Sequence, residues 1–134
     1  MNTIDRLNNA RYTVTLSAHL SSSTPEQNAE ATKGLHHDVR ALCLKHEHAT
    51  GVYKGSAEPS LVVYATTVHE VQALINLGRA YDQECVLVVA DDEAVLVYND
   101  SLAIIGTQWA QVGLADTYEL ENYTYIDGHY FVIA

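Results

Sequence analysis

The chain has 134 residues, enough for one domain around one buried core, and its 48% apolar and 18% charged content is that of a globular chain, not a disordered one. A formal net charge of −10 argues against nucleic acid or an anionic membrane as partner, since both demand a basic footprint. No apolar run approaches the ~18 residues that span a bilayer, and no basic segment followed by an apolar one opens the chain, so a cytoplasmic protein is expected.

Residues 1–9 are polar and aperiodic and are expected to form a loose tail. From Arg11 to Leu20, apolar Tyr12, Val14, Leu16, Ala18 and Leu20 alternate with polar residues, the pattern of a half-buried strand. Ser21-Ser22-Ser23 breaks it. Thr24 then offers an N-cap, Pro25 suits the first helical position and Gln27 completes a capping box. The helix is predicted to run to about Glu47, with Ala31, Leu35, Val39, Leu42 and Cys43 on one apolar stripe. Its interior Gly34 costs ~1 kcal/mol against Ala, which points to close packing or a weak point.

A short strand, Gly51 to Lys54, is predicted next, then a polar loop bracketed by Gly55 and Pro59, then an apolar strand from Ser60 to Thr66. Thr67 and Glu70 form a second capping box for a helix from Val68 to about Asp82, buried along Val71, Leu74, Ile75, Gly78 and Tyr81. Cys85 to Ala90 is a near-continuous apolar run, expected as a central strand covered on both faces. Asp91-Asp92-Glu93 turns it into Ala94 to Tyr98, and Asn99-Asp100-Ser101 turns that into Leu102 to Ile105. Beyond Trp109, Asn122 to Ile126 and His129 to Ile133 flank Asp127-Gly128, a strong hairpin signal. The order predicts an α+β, ferredoxin-like β-α-β-β-α-β sandwich with extra C-terminal antiparallel strands, its two helices on one face of the sheet. Burial of the other face is expected by oligomerisation through it, or through the C-terminal strands.

The candidate site is the stretch from Thr50 to Thr66, whose polar loop carries Lys54, Ser56 and Glu58 with Tyr53 at the strand end, because a loop held between two strands fixes its groups while leaving them accessible. Glu58 has no evident capping role, whereas Glu70 is accounted for as a cap. Tyr53 could equally be an ordinary strand aromatic. Of the seven histidines, His36-His37 are adjacent and His46 and His48 lie two apart, with no Cys-x-x-Cys or His-Glu-x-x-His frame. No metal site is expected. Cys43 and Cys85 sit in apolar settings and read as reduced thiols; Cys85, on a central strand, lacks the electropositive exposure of a nucleophile. Chemistry alone reaches a small acidic α+β domain with a polar loop.

Three stretches in order extend this. Leu16-Ser17-Ala18, Thr50-Gly51-Val52-Tyr53-Lys54, and Tyr81-Asp82-Gln83-Glu84-Cys85-Val86-Leu87-Val88 together resemble the S-adenosylmethionine (SAM) degrading enzymes of short-tailed bacteriophages. That family was once called SAM hydrolases and is now understood as SAM lyases. The resemblance covers roughly residues 12–98 and leaves the C-terminal third without a clear match. It implies a PII-like homotrimer with SAM held between subunits, and cleavage to 5′-methylthioadenosine and L-homoserine lactone without metal or cofactor. It also implies a phage protein that blunts restriction in the host cytoplasm. By its motif the key tyrosine falls on Tyr53, orienting the methionine arm, and the key glutamate on Glu58, holding ribose hydroxyls or the ammonium group, with Glu70 as the fallback. Three other readings stand beside it: a hydrolase giving homoserine, a PII-like module that binds an adenine nucleotide without converting it, and an acidic decoy for a host DNA-binding protein.

Overall fold

In the computed structural model the structure describes residues 2–90, 93–106, 109–114 and 120–133. They form an α+β protein whose elements, in chain order, are α1 (Thr3–Asn9), β1 (Tyr12–Leu16), α2 (Pro25–Ala41), β2 (His46–Tyr53), β3 (Ser56–Ala65), α3 (Val68–Ala80), β4 (Cys85–Ala90), β5 (Glu93–Tyr98), β6 (Leu102–Gly106), β7 (Trp109–Val112), β8 (Tyr123–Ile126) and β9 (His129–Ile133). The strands make one sheet in the order β6-β5-β4-β1-β3-β2-β8-β9-β7, with antiparallel ladders between neighbours.

Alternation along the strands separates two cores. Val14 and Leu16 of β1, Leu61, Val63 and Ala65 of β3, and Val86 and Val88 of β4 face α2 and α3, where Leu35, Val39, Val71 and Leu74 meet them. Fully burying such a side chain contributes about 1.5–3 kcal/mol, and Leu35, Val39 and Leu74 are buried almost completely. The opposite residues, Val62, Tyr64, Leu87 and Val89, point into a second core with Leu7, Trp109, Ile126 and Phe131. The sheet curls so that its C-terminal strands cover its own back: the Trp109 indole N–H donates to Thr13 Oγ1 at 3.2 Å. The second face is thus closed largely within one chain, by the C-terminal strands and α1.

Both capping boxes form, Thr24 with Gln27 and Thr67 with Glu70. The close packing expected at Gly34 is also present: a Cβ there would lie 2.7 Å from the Tyr81 hydroxyl, which donates to Asp38 Oδ2 at 2.7 Å. Strand β4 spans the predicted residues, and β8 and β9 flank the expected Asp127-Gly128 turn, both of whose residues have positive φ.

Other expectations need correction. Residues 3–9 are not a loose tail. Asn2 caps α1 by accepting from the Asp5 N–H at 2.9 Å, Leu7 is buried, and Arg6 Nη1 meets Glu47 Oε1 at 2.9 Å. Helix α2 ends at Ala41, short of Glu47, because Cys43 takes a left-handed conformation at φ 58° that no helix continues through. Cys43 is consequently exposed and off the apolar stripe. Strand β2 starts at His46, five residues before the predicted Gly51, since it pairs with β3 along its whole length. The predicted Gly55 to Pro59 loop is a two-residue turn: Lys54 and Gly55 have φ of 51° and 79°, and Ser56 to Pro59 already belong to the ladder. Pro59 is tolerated there because its carbonyl, and with it its ring nitrogen, points toward the β1 side, where pairing has ended at Leu16. Ser17 Oγ donates to that carbonyl at 2.7 Å. Asp91 and Asp92 of the expected acidic turn lie outside the described residues, and Glu93 opens β5.

Candidate active site

The β2–β3 hairpin carries the two residues singled out from the sequence. Its register sets Tyr53 opposite Ser56 and Gly51 opposite Glu58, so Tyr53 and Glu58 project from the same face. The glycine matters here. A Cβ at Gly51 would lie 2.7 Å from the Ser60 hydroxyl, so a larger residue would crowd the floor beside Glu58. The turn is anchored from the C-terminal segment, with Lys54 N–H donating to Asn122 Oδ1 at 2.9 Å and Gly55 N–H to the Glu121 carbonyl at 2.8 Å.

That face opens into a cavity of about 1250 Å³ inside the curl of the sheet. Leu87, Leu96, Trp109, Phe131 and Ile133 contribute an apolar wall, while Ser17, His19, Tyr53, Glu58, Gln83 and Glu84 gather as polar groups. Thr15, on the same lining, keeps its Oγ1 buried without a protein hydrogen-bond partner. A cavity mostly apolar with a few convergent polar groups is the usual form of a small-molecule site.

Electrostatics assign states to these groups. Burial, then hydrogen bonding with Tyr98 and Cys85, pushes the Tyr53 phenol far above its ordinary value, leaving a neutral hydroxyl and an intact π face. Lys54 Nζ lies 5.2 Å from the centre of that ring and 3.2 Å from Glu84 Oε1, so the ring already accepts a cation at its edge of the cavity. Burial raises the Glu58 carboxyl, opposed by attraction from His19. Burial likewise raises the Cys85 thiol. Cys85 lines the cavity and is half-buried, more accessible than a covered central strand implied, yet it stays a protonated thiol and a poor nucleophile.

The structure does not bring Glu70 into this cavity. Its carboxylate accepts from the N–H groups of Thr66 and Thr67 at 2.8 and 3.1 Å, bonds that lower its pKa. A smaller cavity of about 430 Å³ lies against α2 and is bordered by Lys33, His36, His48 and the far side of Glu58. His36 Nε2 approaches His46 Nε2 to 3.2 Å, and His48 stacks edge-on against His36. Among the described residues, no group of three or more His, Cys, Asp or Glu is disposed to hold a metal ion. Sequence reasoning missed His19, Trp109 and Phe131 as residues that line the cavity. His19 gave a weak signal as a polar residue just past the strand end, and the two aromatics gave none, since only the curl brings them near.

A curled α+β sheet enclosing a mixed apolar and acidic chamber has the form of a small-molecule-binding protein. The model of the S-adenosylmethionine lyase family matches residues 14–134, and the chain belongs to that family. The match includes the C-terminal third, which the motifs alone left out. No curated protein matches the chain. Family membership makes it an enzyme, a lyase acting on S-adenosylmethionine. Among the described residues no helix is long and apolar enough to cross a membrane.

Proposed function

We propose that the chain cleaves S-adenosylmethionine to 5′-methylthioadenosine and L-homoserine lactone, with Tyr53 and Glu58 as the residues that hold the substrate for reaction. A carboxylate oxygen of the substrate attacks its own γ carbon, the carbon–sulfur bond breaks, and its electron pair returns to the sulfonium as a neutral thioether. No proton moves, and no water or cofactor takes part. The reaction joins a carboxylate to a carbon activated by a cation, so charge is neutralised along the way. A chamber walled by Leu87, Leu96, Trp109 and Phe131 favours that change over open water, provided the arm is folded into attack geometry.

The observation that carries this reading is the shared placement of Tyr53 and Glu58 on one face of the hairpin, in the larger cavity. Tyr53 offers a ring face to the sulfonium and a neutral hydroxyl to the methionine arm. Glu58 accepts from the ribose hydroxyls or the ammonium group. Glu70, committed to its cap, has no part. Replacing Glu58 with Gln is expected to lower kcat/KM by roughly 10- to 100-fold, the equivalent of one charge-assisted hydrogen bond. Tyr53→Phe keeps the ring and should retain more activity than Tyr53→Leu. Steady-state release of methylthioadenosine measures both, and full activity in Glu58→Gln would remove that residue from the site.

The finer architecture follows the same reading. The strand order β4-β1-β3-β2 with α2 and α3 on one face supports a ferredoxin-like core within a single domain. Leu102 and Ile104, 70% and 67% exposed on the edge strand β6, support assembly into a homotrimer. A phage protein acting in the host cytoplasm to deplete the methyl donor, and so blunt restriction, completes the proposal.

A further inference from the structure

We propose that His19 is a positioning residue for this reaction: lining the same cavity as Glu58 and tethered through Ser17 to the carbonyl of Pro59, it partners that carboxylate in the form that holds the substrate. The proposal rests on the functional reading above and adds a residue to it.

The segment after β1 is built to hold His19 still. Ser17 Oγ accepts from the His19 N–H at 3.0 Å and donates to the carbonyl of Pro59, the residue next to Glu58. Gln83 Nε2 donates to the His19 carbonyl at 3.2 Å. One residue on, Asn28 of α2 closes a reciprocal pair with Leu20, accepting its N–H at 2.9 Å and donating to its carbonyl at 3.0 Å. Asn28 and Ser17 are both buried. An extended segment outside the sheet ladder is thereby tied to β3, α2 and the approach to β4 at once. These bonds fix the main chain from which the His19 imidazole projects.

The groups around Glu58 make the imidazole its natural partner. Tyr53 and Lys54 come from the hairpin, Asp82, Glu84 and Cys85 from the segment leading into β4, and Lys33, His36 and His48 from the smaller cavity behind. Lys54 is engaged by Glu84 at 3.2 Å. Tyr53 and Cys85 are neutral, and the remaining acids repel a carboxylate. Burial pushes Glu58 toward its neutral form, and attraction from His19 is the one resolved influence that opposes it.

The test is the pH dependence of kcat/KM for methylthioadenosine release by the wild-type enzyme, His19→Gln and His19→Lys. Loss of the imidazole's attraction leaves burial of Glu58 unopposed, so the acid limb of His19→Gln moves toward neutral pH. Between about pH 8 and 5.5 its deficit relative to wild type should grow roughly three- to tenfold, and His19→Lys should restore the wild-type limb. NMR titration of the Glu58 carboxyl in wild type and His19→Gln reads the same coupling without turnover, and should show a higher midpoint in the variant. A deficit constant with pH, together with an unmoved Glu58 midpoint, overturns the proposal. Absence of methylthioadenosine from the wild-type reaction overturns the functional reading itself, and with it the role given to His19.

Discussion

Glu58 is a carboxylate that the fold holds at a cost. Its pKa is raised in the folded state, chiefly by burial, so the folded protein binds that proton more tightly than the unfolded chain does. Ionisation of Glu58 therefore opposes folding above its folded-state pKa, and the penalty fades as pH falls to the ordinary carboxylate range. Glu70 has the opposite sign: its lowered pKa gives stability above the unfolded value, lost as pH falls through the folded one. Replacing Glu58 with Gln should then raise the melting temperature at pH 7 to 8, with the gain closing near pH 4. In the binding role proposed for Glu58, such a cost in stability is a common compromise at functional sites. Thermal melts across pH read this directly, and a variant less stable than wild type at pH 7 would contradict it.

At the scale of elements, α2 meets α3 through Gly34 and Tyr81. Burial, and then the bond to Asp38, pushes the Tyr81 phenol up to about 12, so its hydroxyl remains a donor. Gly34→Ala gains ~1 kcal/mol of helix propensity but displaces a hydroxyl bonded to a charged group, worth about 1.5–3 kcal/mol. The net expectation is a loss of about 1 kcal/mol. In a Tyr81→Phe background the hydroxyl is gone and the nearest ring carbon, at 3.6 Å, tolerates a methyl group. There Gly34→Ala should stabilise. Denaturant unfolding of the four proteins measures the reversal, and the same sign in both backgrounds would refute the packing argument.

Elements were legible where their chemistry is local. The capping boxes at Thr24 and Thr67, the apolar run from Cys85 to Ala90 and the Asp127-Gly128 turn need only neighbours along the chain. Helix α1 was hidden because a short segment with only Ile4 and Leu7 apolar is ordered by the second core and by Glu47, far away in sequence. The end of α2 was hidden because the left-handed position is filled by Cys43, where glycine would have announced it. Lys54-Gly55 read as the start of a loop for a similar reason: Lys is an uncommon first residue of such a turn. The site divides the same way. Tyr53 and Glu58 were visible on one short hairpin, whereas His19, Trp109 and Phe131 reach the cavity only through tertiary packing.

At the scale of the whole molecule, one sheet serves two purposes. Its helix-covered face makes an ordinary core, and its other face is partly core and partly the wall of the larger cavity. The curl that brings Trp109 onto Thr13 supplies the apolar wall opposite Tyr53 and Glu58. On the proposed mechanism the substrate carries its own nucleophile and leaving group, so a chain this small need only bind, fold and desolvate it.

The central claim, intramolecular cleavage of S-adenosylmethionine, is tested most directly by following the products by mass spectrometry in ¹⁸O-labelled water at early times. Methylthioadenosine together with unlabelled homoserine lactone, appearing before any homoserine, is the expected result. Labelled homoserine formed from the outset with no lactone before it would contradict the account and make an activated water the nucleophile. Unchanged substrate would leave a chamber that binds without converting.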